Sequence, residues 1–511
     1  MHYRFRYFPF SRYFKKEPEI ILDAPFRVNP NTAIPISLLI KDADIYPIQL
    51  MSVSLIVNYP SGHQKTHHHN FDQIVGTHWF SYIFFIHPQE TGNLEIQGTI
   101  EFNINGKRRV VNTHNIKTTP KSLLHVCVDQ AQLPGSDSYY WGDLHYHSNY
   151  TEDFVEFGAP LETTNKTASA LGLDFLAITD HSYDLDDKYG SWVETDEELT
   201  KWKDSREEIR TINTKNEVLL IPGEEVTVKN AEGRNVHLLV MNHESFIPGS
   251  GDGAEKWSNT TSEYSIEEVI SIAKENALVI ASHPFVPFSK LEQRILNRGK
   301  WEDNDIIHEN LHGLQILNGE VDESFDIGLK NWIHLLLSGK KIFIYAGNDA
   351  HGNFNQFHQI KIPMLSTWTH RNQILGQCRT GIIKKDALTL DSSIDALQSG
   401  KCIITDGPAL ILEIEYSNSM ALLGDSIQTN ECTIHLNGFS TEYFGSLSHI
   451  RLIHGIINSH REKTIIDSDL NGFTCEIIEK LNITFSGYFR AEILTSLGKR
   501  AYTNPIWVSP K

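Results

Sequence analysis

Histidines and carboxylates recur through the middle of this 511-residue chain at spacings that suit metal binding. His145 and His147 end the run YYWGDLHYH, and their alternate spacing places both imidazoles on one side of an extended segment. Asp349 and His351 form a second alternate pair after KIFIYAG. Other apolar runs end in, or carry, His181, Glu224, Glu225, His237 and His283. Imidazole and carboxylate are ligands that Zn, Mn and Fe accept, so the pattern predicts a transition-metal site.

The number of these ligands predicts more than one ion. Six histidines with two or more carboxylates exceed what one tetrahedral ion uses, so we expect two or three divalent transition-metal ions, Mn, Fe or Zn. Ions about 3.5–4 Å apart can lower the pKa of a bridging water and hold both oxygens of a displacement. The pattern therefore predicts a hydrolase that attacks a small-molecule ester with a metal-bridging hydroxide. Asp349 is the expected catalytic residue, as ligand and proton relay.

Such residues can meet if each lies at the end of a strand, because the carboxyl ends of parallel strands converge. Between residues 139 and 400 the strand candidates are DFLAIT, EVLLIPG, VHLLVMN, ALVIAS, LQILN and KIFIYAG. Helical stretches separate several of them, and Ser265 with Glu268 predicts a capping box for one. This alternation predicts an α/β barrel or sheet. Short β-rich runs predict β-rich domains on both sides, an N-terminal sandwich-like one over 1–135 and a C-terminal one over 401–511.

The order of the motifs resembles that of a known family. The segments DLHYHSNY, AITDH, PGEEVT, VHLLV, ASHPF and GNDAH resemble the motifs of the PHP (polymerase and histidinol phosphatase) superfamily. The opening WGDLHYHS and the tail AYTNPIWV resemble its CehA/McbA-type, carbaryl-hydrolase-like members. The resemblance covers about 139–410 and implies a distorted (β/α)7 barrel over 139–400, a binuclear or trinuclear centre and phosphoester hydrolysis. The ligands that it implies are His145, His147, His181, Glu225 as the bridge, His237, His283, Asp349 and His351.

The resemblance leaves one ligand open. Family members carry a further ligand in the loop after H-x-H, as the Asp of an S-D-G run, where this chain reads Thr151-Glu152-Asp153. Glu152 and Asp153 are therefore both candidates. We expect Asp143 and Asp180 to orient neighbouring imidazoles.

Charge, cysteine content and hydropathy limit the binding partners and the cellular location that we expect. With 45 Lys+Arg against 64 Asp+Glu, the formal charge of −19 argues against a nucleic-acid partner. Five scattered cysteines without a CxxC pair offer no thiolate metal site. The first sixteen residues lack the apolar segment of a secretory signal, and no apolar run approaches the ~20 residues that span a bilayer. We therefore expect a cytoplasmic protein without a membrane span, whose oligomeric state the sequence leaves unassigned.

Other interpretations remain open. The same metal site could cleave a carbamate, a carboxylic ester or an amide, or the protein could bind a glycan or a partner around a structural metal centre. We interpret His67-His68-His69 as part of a solvated loop. Four arginines in helix-like segments are interpreted as solvated charges rather than a phosphate clamp: Arg206, Arg210, Arg294 and Arg298.

Overall fold

The computed structural model describes residues 17–115, 122–152, 158–191, 194–215, 217–251, 259–273, 276–287, 290–361, 366–370 and 373–511. Asp153, one of the two candidates for the loop ligand, lies outside these residues. Strands hold roughly three times as many residues as helices. Within the described part of the chain, no helix is both long and apolar enough to cross a membrane.

The first part of the chain forms two sheets around their own apolar core. Its strands are β1 (Glu19–Asp23), β2 (Arg27–Val28), β3 (Ile34–Lys41), β4 (Ile48–Asn58), β5 (Gln64–Val75), β6 (Trp79–Ile86), β7 (Gly92–Ile104), β8 (Lys107–Asn112) and β9 (Leu124–Val128). One sheet has the order β1-β3-β6 and the other the order β2-β9-β7-β4-β5, with β8 paired to β7. Alternate residues of β7 are buried, as expected for a sheet with one face on a core.

The loop interpretation of the histidine triplet is wrong. His67, His68 and His69 lie in β5, opposite Leu55, Ser54 and Val53 of β4. The triplet is polar, but its neighbours alternate between exposed and half-buried positions along the edge strand of a sheet. A strand at an edge with a solvated face accommodates such a polar run.

Seven strands then lie side by side in chain order. They are β10 (Tyr139–His147), β11 (Phe175–Ile178), β12 (Leu219–Lys229), β13 (Asn235–Met241), β14 (Leu278–Ala281), β15 (Gly313–Asn318) and β16 (Phe343–Gly347). The helices between them are α1 (Leu161–Leu171), α2 (Ser182–Leu185), α3 (Thr200–Asn213), α4 (Ile266–Ile272), α5 (Lys290–Ile295) and α6 (Glu323–Leu337). Ser265 caps α4 and forms the predicted capping box with Glu268.

The predicted (β/α)7 barrel is wrong. β12 and β13 form an antiparallel hairpin, and β13 is also antiparallel to β14, so one strand of the seven opposes the direction of the others. The connection 230–234 explains this, because a parallel crossover needs about a dozen residues or more. The sheet also continues past β10 instead of ending there, and the protein as a whole is mostly β.

The remainder of the chain extends the same sheet and adds two separate ones, of which β18 and β19 form the smaller. It contains β17 (Ala350–His351), β18 (Phe357–Lys361), β19 (Ser366–His370), β20 (Arg379–Ile383), α7 (Leu390–Gln398), β21 (Cys402–Thr405), β22 (Ala409–Tyr416), β23 (Ser419–Ala421), β24 (Ser426–Gln428), β25 (Glu431–Phe439), β26 (Leu447–Ile456), β27 (Lys463–Gly472), β28 (Thr474–Asn482), β29 (Gly487–Thr495), β30 (Arg500–Thr503) and β31 (Ile506–Ser509). From β10 the order runs β20-β21-β30-β29-β26-β27, while β23-β22-β25-β28 form a separate sheet. One apolar cluster, which includes Trp141, Ile403 and Ile493, spans both parts.

Candidate metal centre

Two histidines of β10 contribute to the candidate metal centre. The side chains of His145 and His147 are both completely buried. His147 pairs through its backbone with His351 of β17, which brings the end of this short strand beside the end of β10. The His147 and His351 rings stack with their centroids 4.1 Å apart. Alternation along β10 and its pairing with β17 thus place three imidazoles together.

The carboxylate of Glu225, on β12, lies among five imidazoles. Its side chain is 1 % exposed. Its oxygens lie 3.4 Å from Nε2 of His145, 3.4 Å from Nε2 of His147, 3.1 Å from Nδ1 of His181, 3.0 Å from Nδ1 of His237 and 3.3 Å from Nε2 of His283. His237 reaches Glu225 from the neighbouring β13 because the two strands form a hairpin. Oδ1 of Asp349 lies 3.2 Å from Nε2 of His147, opposite this carboxylate.

These residues form three adjoining groups of potential metal ligands. In each group the ligand atoms lie within 4.8 Å of one another. The groups are His147, His181 and His351; then His145, His147, Glu225 and Asp349; then Glu225, His237 and His283. His147 belongs to two of these groups, and so does Glu225, so the three groups are contiguous. Together they contain eight of the ten residues predicted as ligands.

The chemistry of this donor set fits a cation. Nε2 of His145 and Nε2 of His147 lie 3.0 Å apart, and two facing imidazole nitrogens can share only one proton. Burial alone would lower the pKa of His145, but the carboxylates of Glu225 and Asp349 raise it to about 9. Burial and the charges of His351 and His181 hold the pKa of His147 well below its usual value. At least one nitrogen lone pair is therefore directed into the cluster, as a metal ligand requires.

Both carboxylates of the cluster are held in their charged form. Burial would raise the pKa of Glu225, but the charges of His237 and His145 lower it well below its usual range. The pKa of Asp349 is likewise lowered despite burial, by His145 and by the hydrogen bond with His147. A buried carboxylate that stays ionised among imidazoles is suited to bind metal ions.

Two candidate ligands have strained backbones. The φ angles of His283 and Asp349 are 28° and 52°, in the left-handed region that residues with a Cβ rarely occupy. Asp349 is fixed by a hydrogen bond from its N–H to the carbonyl of His145, and its Oδ2 accepts a hydrogen bond from Gln373 Nε2. Strain of this kind persists where the surroundings determine the conformation, and it concentrates at functional sites.

Gln315 supports the centre, and our sequence reasoning missed it. Its Oε1 lies 2.9 Å from Nδ1 of His145, which leaves the Nε2 of that ring facing the carboxylates. Gln315 belongs to β15, in the run LQILN, where it lies between two apolar residues and its Nε2 donates to Oδ1 of Asn318 at the end of the strand. A polar side chain at a buried position of an apolar strand was the one signal in the sequence, and it does not identify His145 as the partner. Ser282 also contributes, because its hydroxyl donates to Oε1 of Glu225 over 2.8 Å.

Asp143 and Asp180 bind the backbone rather than the imidazole rings. Asp143 accepts hydrogen bonds from the N–H groups of His145, Asn348 and Gly376. Asp180 accepts from the N–H and the hydroxyl of Ser148 and from those of Thr151. The two aspartates therefore fix the loops that carry the ligands, Asp143 through the backbone N–H of His145 and Asp180 through the Thr151 hydroxyl that contacts the ring of His147.

The structure does not bring Glu152 into the cluster. Oε1 of Glu152 lies 3.0 Å from Nζ of Lys41 and 2.8 Å from Nε2 of His78. Burial opposes ionisation of Glu152, but Lys41 and His78 lower its pKa well below the usual value. Asp42, His78 and Glu152 form a further group with ligand spacing, yet the buried ammonium of Lys41 neutralises this carboxylate. The predicted role of Glu152 as a ligand is therefore not supported by its position.

Arg206 is not a solvated charge. Its Nη2 lies 2.8 Å from Oε1 of Glu224, and both side chains are buried. Trp202 Nε1 donates to the same oxygen over 2.7 Å. Glu224 therefore forms a buried ion pair with Arg206, whereas the carboxylate of its neighbour Glu225 contacts the histidines of the cluster.

Comparisons with known proteins leave the family open. No protein-family model and no curated protein matches the chain. Among solved structures, beta-glucuronidase 2 of Bacteroides uniformis is 10 % identical, with 96 % of this chain and 61 % of that chain covered and a TM-score of 0.18. Beta-glucuronidase of Parabacteroides merdae is 10 % identical, with coverages of 96 % and 63 % and a TM-score of 0.19. The chain spans less than two thirds of either protein, and likenesses at such scores establish neither a common fold nor an activity.

Proposed function

We propose that this protein is a metal-dependent hydrolase that cleaves phosphate esters. One observation carries the proposal: the buried carboxylate of Glu225 is shared by two groups of ligand atoms, and a third group adjoins them through His147. A carboxylate shared in this way suits a site in which two or three ions lie close together. The choice of phosphate esters rests on the sequence resemblance to the PHP superfamily, in which phosphoester hydrolysis is the commonest activity.

The residues of the cluster would hold the ions and the substrate. His147, His181 and His351 would hold one ion. His145, Asp349 and Glu225 would hold a second, and Glu225 with His237 and His283 a third. When bound, such ions supply a nucleophile from water near neutral pH and neutralise charge on the ester. Nitrogen and oxygen ligands without thiolate suit Mn, Fe or Zn.

We propose that Asp349 moves a proton. Its Oδ2 accepts the hydrogen bond from Gln373, whereas its Oδ1 faces Nε2 of His147 and Nε2 of His145, at 3.2 and 3.5 Å. In our proposal the water oxygen forms a bond to phosphorus while the bond from phosphorus to the ester oxygen breaks. Oδ1 of Asp349 accepts the proton that the water gives up and passes it to the departing alkoxide.

Metal analysis combined with an ester panel tests the proposal. Purified protein grown with added Mn, Fe and Zn should carry two or three of these ions per chain and hydrolyse phosphomonoesters or phosphodiesters in preference to aryl carbamates and carboxylic esters. His147→Ala and Asp349→Ala should each lower kcat/KM by roughly a hundredfold or more, because each removes a ligand and a charge at the reacting centre. Both variants should remain folded by circular dichroism, since neither side chain belongs to the apolar core.

The matched control is His460→Ala, in the exposed connection between β26 and β27. This change should leave turnover within about twofold. Absence of metal after growth in supplemented medium would refute the proposed centre. Cleavage of carbamates, carboxylic esters or amides alone would replace the substrate class, and inactivity of fully metallated protein on every ester would favour a binding protein with a structural metal centre.

A further inference from the structure

The buried hydroxyl of Thr151 contacts two candidate ligands of the metal centre. Thr151 follows β10 and is completely buried. Its Oγ1 accepts a hydrogen bond from the backbone N–H of His181 over 3.1 Å and lies 3.3 Å from Nδ1 of His147. Both histidines belong to the same group of ligand atoms, together with His351. One hydroxyl group therefore joins two members of a single candidate ion site.

A third contact decides where the hydroxyl proton of Thr151 points. Oγ1 of Thr151 lies 2.9 Å from Oδ1 of Asp180. The same oxygen of Asp180 accepts the backbone N–H groups of Ser148, over 2.6 Å, and of Thr151, over 3.2 Å. A backbone N–H can only donate, so these two groups hold Oδ1 as an acceptor and leave no place for a proton on it. The hydroxyl of Thr151 therefore donates to Asp180, in a short hydrogen bond to a carboxylate oxygen.

The direction of this hydrogen bond determines which nitrogen of His147 carries a hydrogen. A threonine hydroxyl has one proton to donate, and Thr151 gives it to Asp180. The contact between Oγ1 and Nδ1 of His147 is then favourable only if Nδ1 carries a hydrogen and donates it. A neutral imidazole has a single N–H, so Nε2 of His147 keeps its lone pair.

This lone pair faces the carboxylates of the cluster. Nε2 of His147 lies 3.4 Å from Oε2 of Glu225 and 3.2 Å from Oδ1 of Asp349. Ionised carboxylate oxygens can only accept hydrogen bonds, so a lone pair beside them is stabilised by a cation or by a group that carries a proton. A ring in this tautomer presents Nε2 as metal binding requires, because a ligating imidazole must be unprotonated at the ligating nitrogen.

We infer that Thr151 is a positioning residue, which links Asp180 to His147 and holds the imidazole in the tautomer that binds metal through Nε2. The inference rests on the proposed metal-dependent function and adds a residue that acts through a ligand. It also gives a role to the loop in which the family resemblance implies a carboxylate ligand. Within the described part of that loop, the hydroxyl of Thr151 contacts the centre, whereas Glu152 pairs with Lys41.

Thr151→Val and Thr151→Ser separate the hydroxyl from the packing. Valine keeps the shape of threonine without the hydroxyl, and Asp180 retains its backbone hydrogen bonds, so the fold should persist by circular dichroism. We expect Thr151→Val to weaken zinc or manganese binding roughly 10- to 100-fold in competition with a chelator, and Thr151→Ser to restore most of the affinity. Thr167→Val is the matched control, because Thr167 is equally buried and its hydroxyl donates to the carbonyl of Thr163 within α1. Its metal affinity should stay within about twofold of wild type.

Nitrogen NMR of the full chain with isotope-labelled histidine measures the tautomer directly. The resonances of His147 are those that disappear in His147→Ala. In wild type, with and without added zinc, we expect a hydrogen on Nδ1 of His147 and none on Nε2. Thr151→Val should give a mixture of the two tautomers in the absence of zinc, and a change in packing alone would not produce this signature.

Two results would each overturn the role of Thr151: a His147 ring without hydrogen on Nδ1 in wild type, or a metal affinity of Thr151→Val within twofold of wild type. If Thr151→Val does not fold, the wild-type tautomer decides alone. These measurements need no turnover. A wild type with the expected tautomer and metal affinity that hydrolyses no ester would therefore refute the proposed hydrolase and leave the role of Thr151 standing.

Discussion

At the scale of single residues, the organising group is the carboxylate of Glu225. It is buried and ionised, and it contacts five imidazoles contributed by four strands and the segments that follow them. A buried charge is costly unless it is paired, so the imidazoles and the carboxylate stabilise one another in the fold. Removal of Glu225 would take away the charge that contributes most to raising the pKa of His145.

Gln315 gives a residue-scale prediction. Replacement of Gln315 by Leu removes the acceptor for Nδ1 of His145, so the ring loses its fixed tautomer and orientation. We expect metal affinity to fall about 10- to 100-fold, measured by competition with a chelator, while the fold is retained. Gln315→Glu keeps an acceptor at the same place and should restore most of the affinity. Equal affinity in wild type and Gln315→Leu would show that the contact with His145 does not matter for metal binding.

Most of the cluster could be predicted from sequence, because each candidate ligand follows or lies within an apolar strand run that the pattern identifies. The contact between Gln315 and His145 could not be predicted in this way, because an amide within a strand has no spacing that identifies its hydrogen-bond partner. Glu152 was misjudged for a related reason. A loop carboxylate near H-x-H is equally consistent with a ligand and with an ion pair, and its partner Lys41 lies more than one hundred residues earlier.

At the scale of elements, the approach of β16 to β10 limits the site. A Cβ added to Gly347 would lie 2.6 Å from Cβ of His145 and 2.8 Å from its backbone nitrogen. Glycine at the end of β16 therefore allows the backbone of Asn348 and Asp349 to reach β10. Asp349 donates its N–H to the carbonyl of His145 from this position.

Gly347→Ala is the corresponding prediction. The added methyl group must displace His145 or separate the two strands, which costs about 1–3 kcal/mol and moves a candidate ligand. We expect a lower thermal unfolding midpoint together with weaker metal binding and reduced esterase activity. Gly76→Ala is the control, because nothing lies within 4 Å of its added Cβ. A Gly347→Ala protein with wild-type metal content and activity would show that the contact is easily relieved.

Strand positions could be predicted at this scale, but strand directions could not. An apolar run such as VHLLVMN has the same composition in a parallel and in an antiparallel strand. The short connection before β13 separates these possibilities, because five residues are too few for a parallel crossover. The capping box at Ser265 was correct because it depends only on residues three apart.

At the scale of the whole molecule, an ion cluster joins the N-terminal strands to a loop beside the candidate metal centre. Lys41 ends β3, His78 precedes β6, and both contact Glu152 in the loop after β10. The neighbouring Thr151 lies 3.3 Å from Nδ1 of His147 through its hydroxyl. The N-terminal sheets therefore help to position a loop that contacts a candidate ligand.

The pH dependence of stability follows from this cluster. The pKa of Glu152 is lower in the folded protein than in the unfolded chain, so its contribution is complete above about pH 4.3 and is lost as the pH falls through the folded value. Burial lowers the pKa of His78, but Glu152 raises it above its ordinary value overall. The contribution of His78 is therefore complete below about pH 6.5 and is lost as the pH rises through the folded value.

Glu152→Gln tests this link. Removal of the carboxylate breaks the buried ion pair with the ammonium of Lys41, and breaking a buried pair costs about 3–5 kcal/mol. The urea unfolding midpoint should fall most between about pH 5 and 6.5, and the difference from wild type should shrink below about pH 4. Glu194→Gln, in the exposed pair with Lys188, is the control and should change the midpoint little at any pH. A difference for Glu152→Gln that does not vary with pH would mean that packing rather than charge is lost.

The position of β10 also has a consequence for biosynthesis. One edge of β10 pairs with β11, but the other pairs with β20, whose residues are translated about 240 positions later. Because translation proceeds at about 5–20 residues per second, that edge stays without β20 for roughly 12–48 seconds during synthesis. A strand with an open edge is a template for pairing between chains. Nascent or prematurely terminated chains that end before β20 should therefore aggregate more readily than the finished protein, and their yield in cells should depend on chaperones that cover this edge.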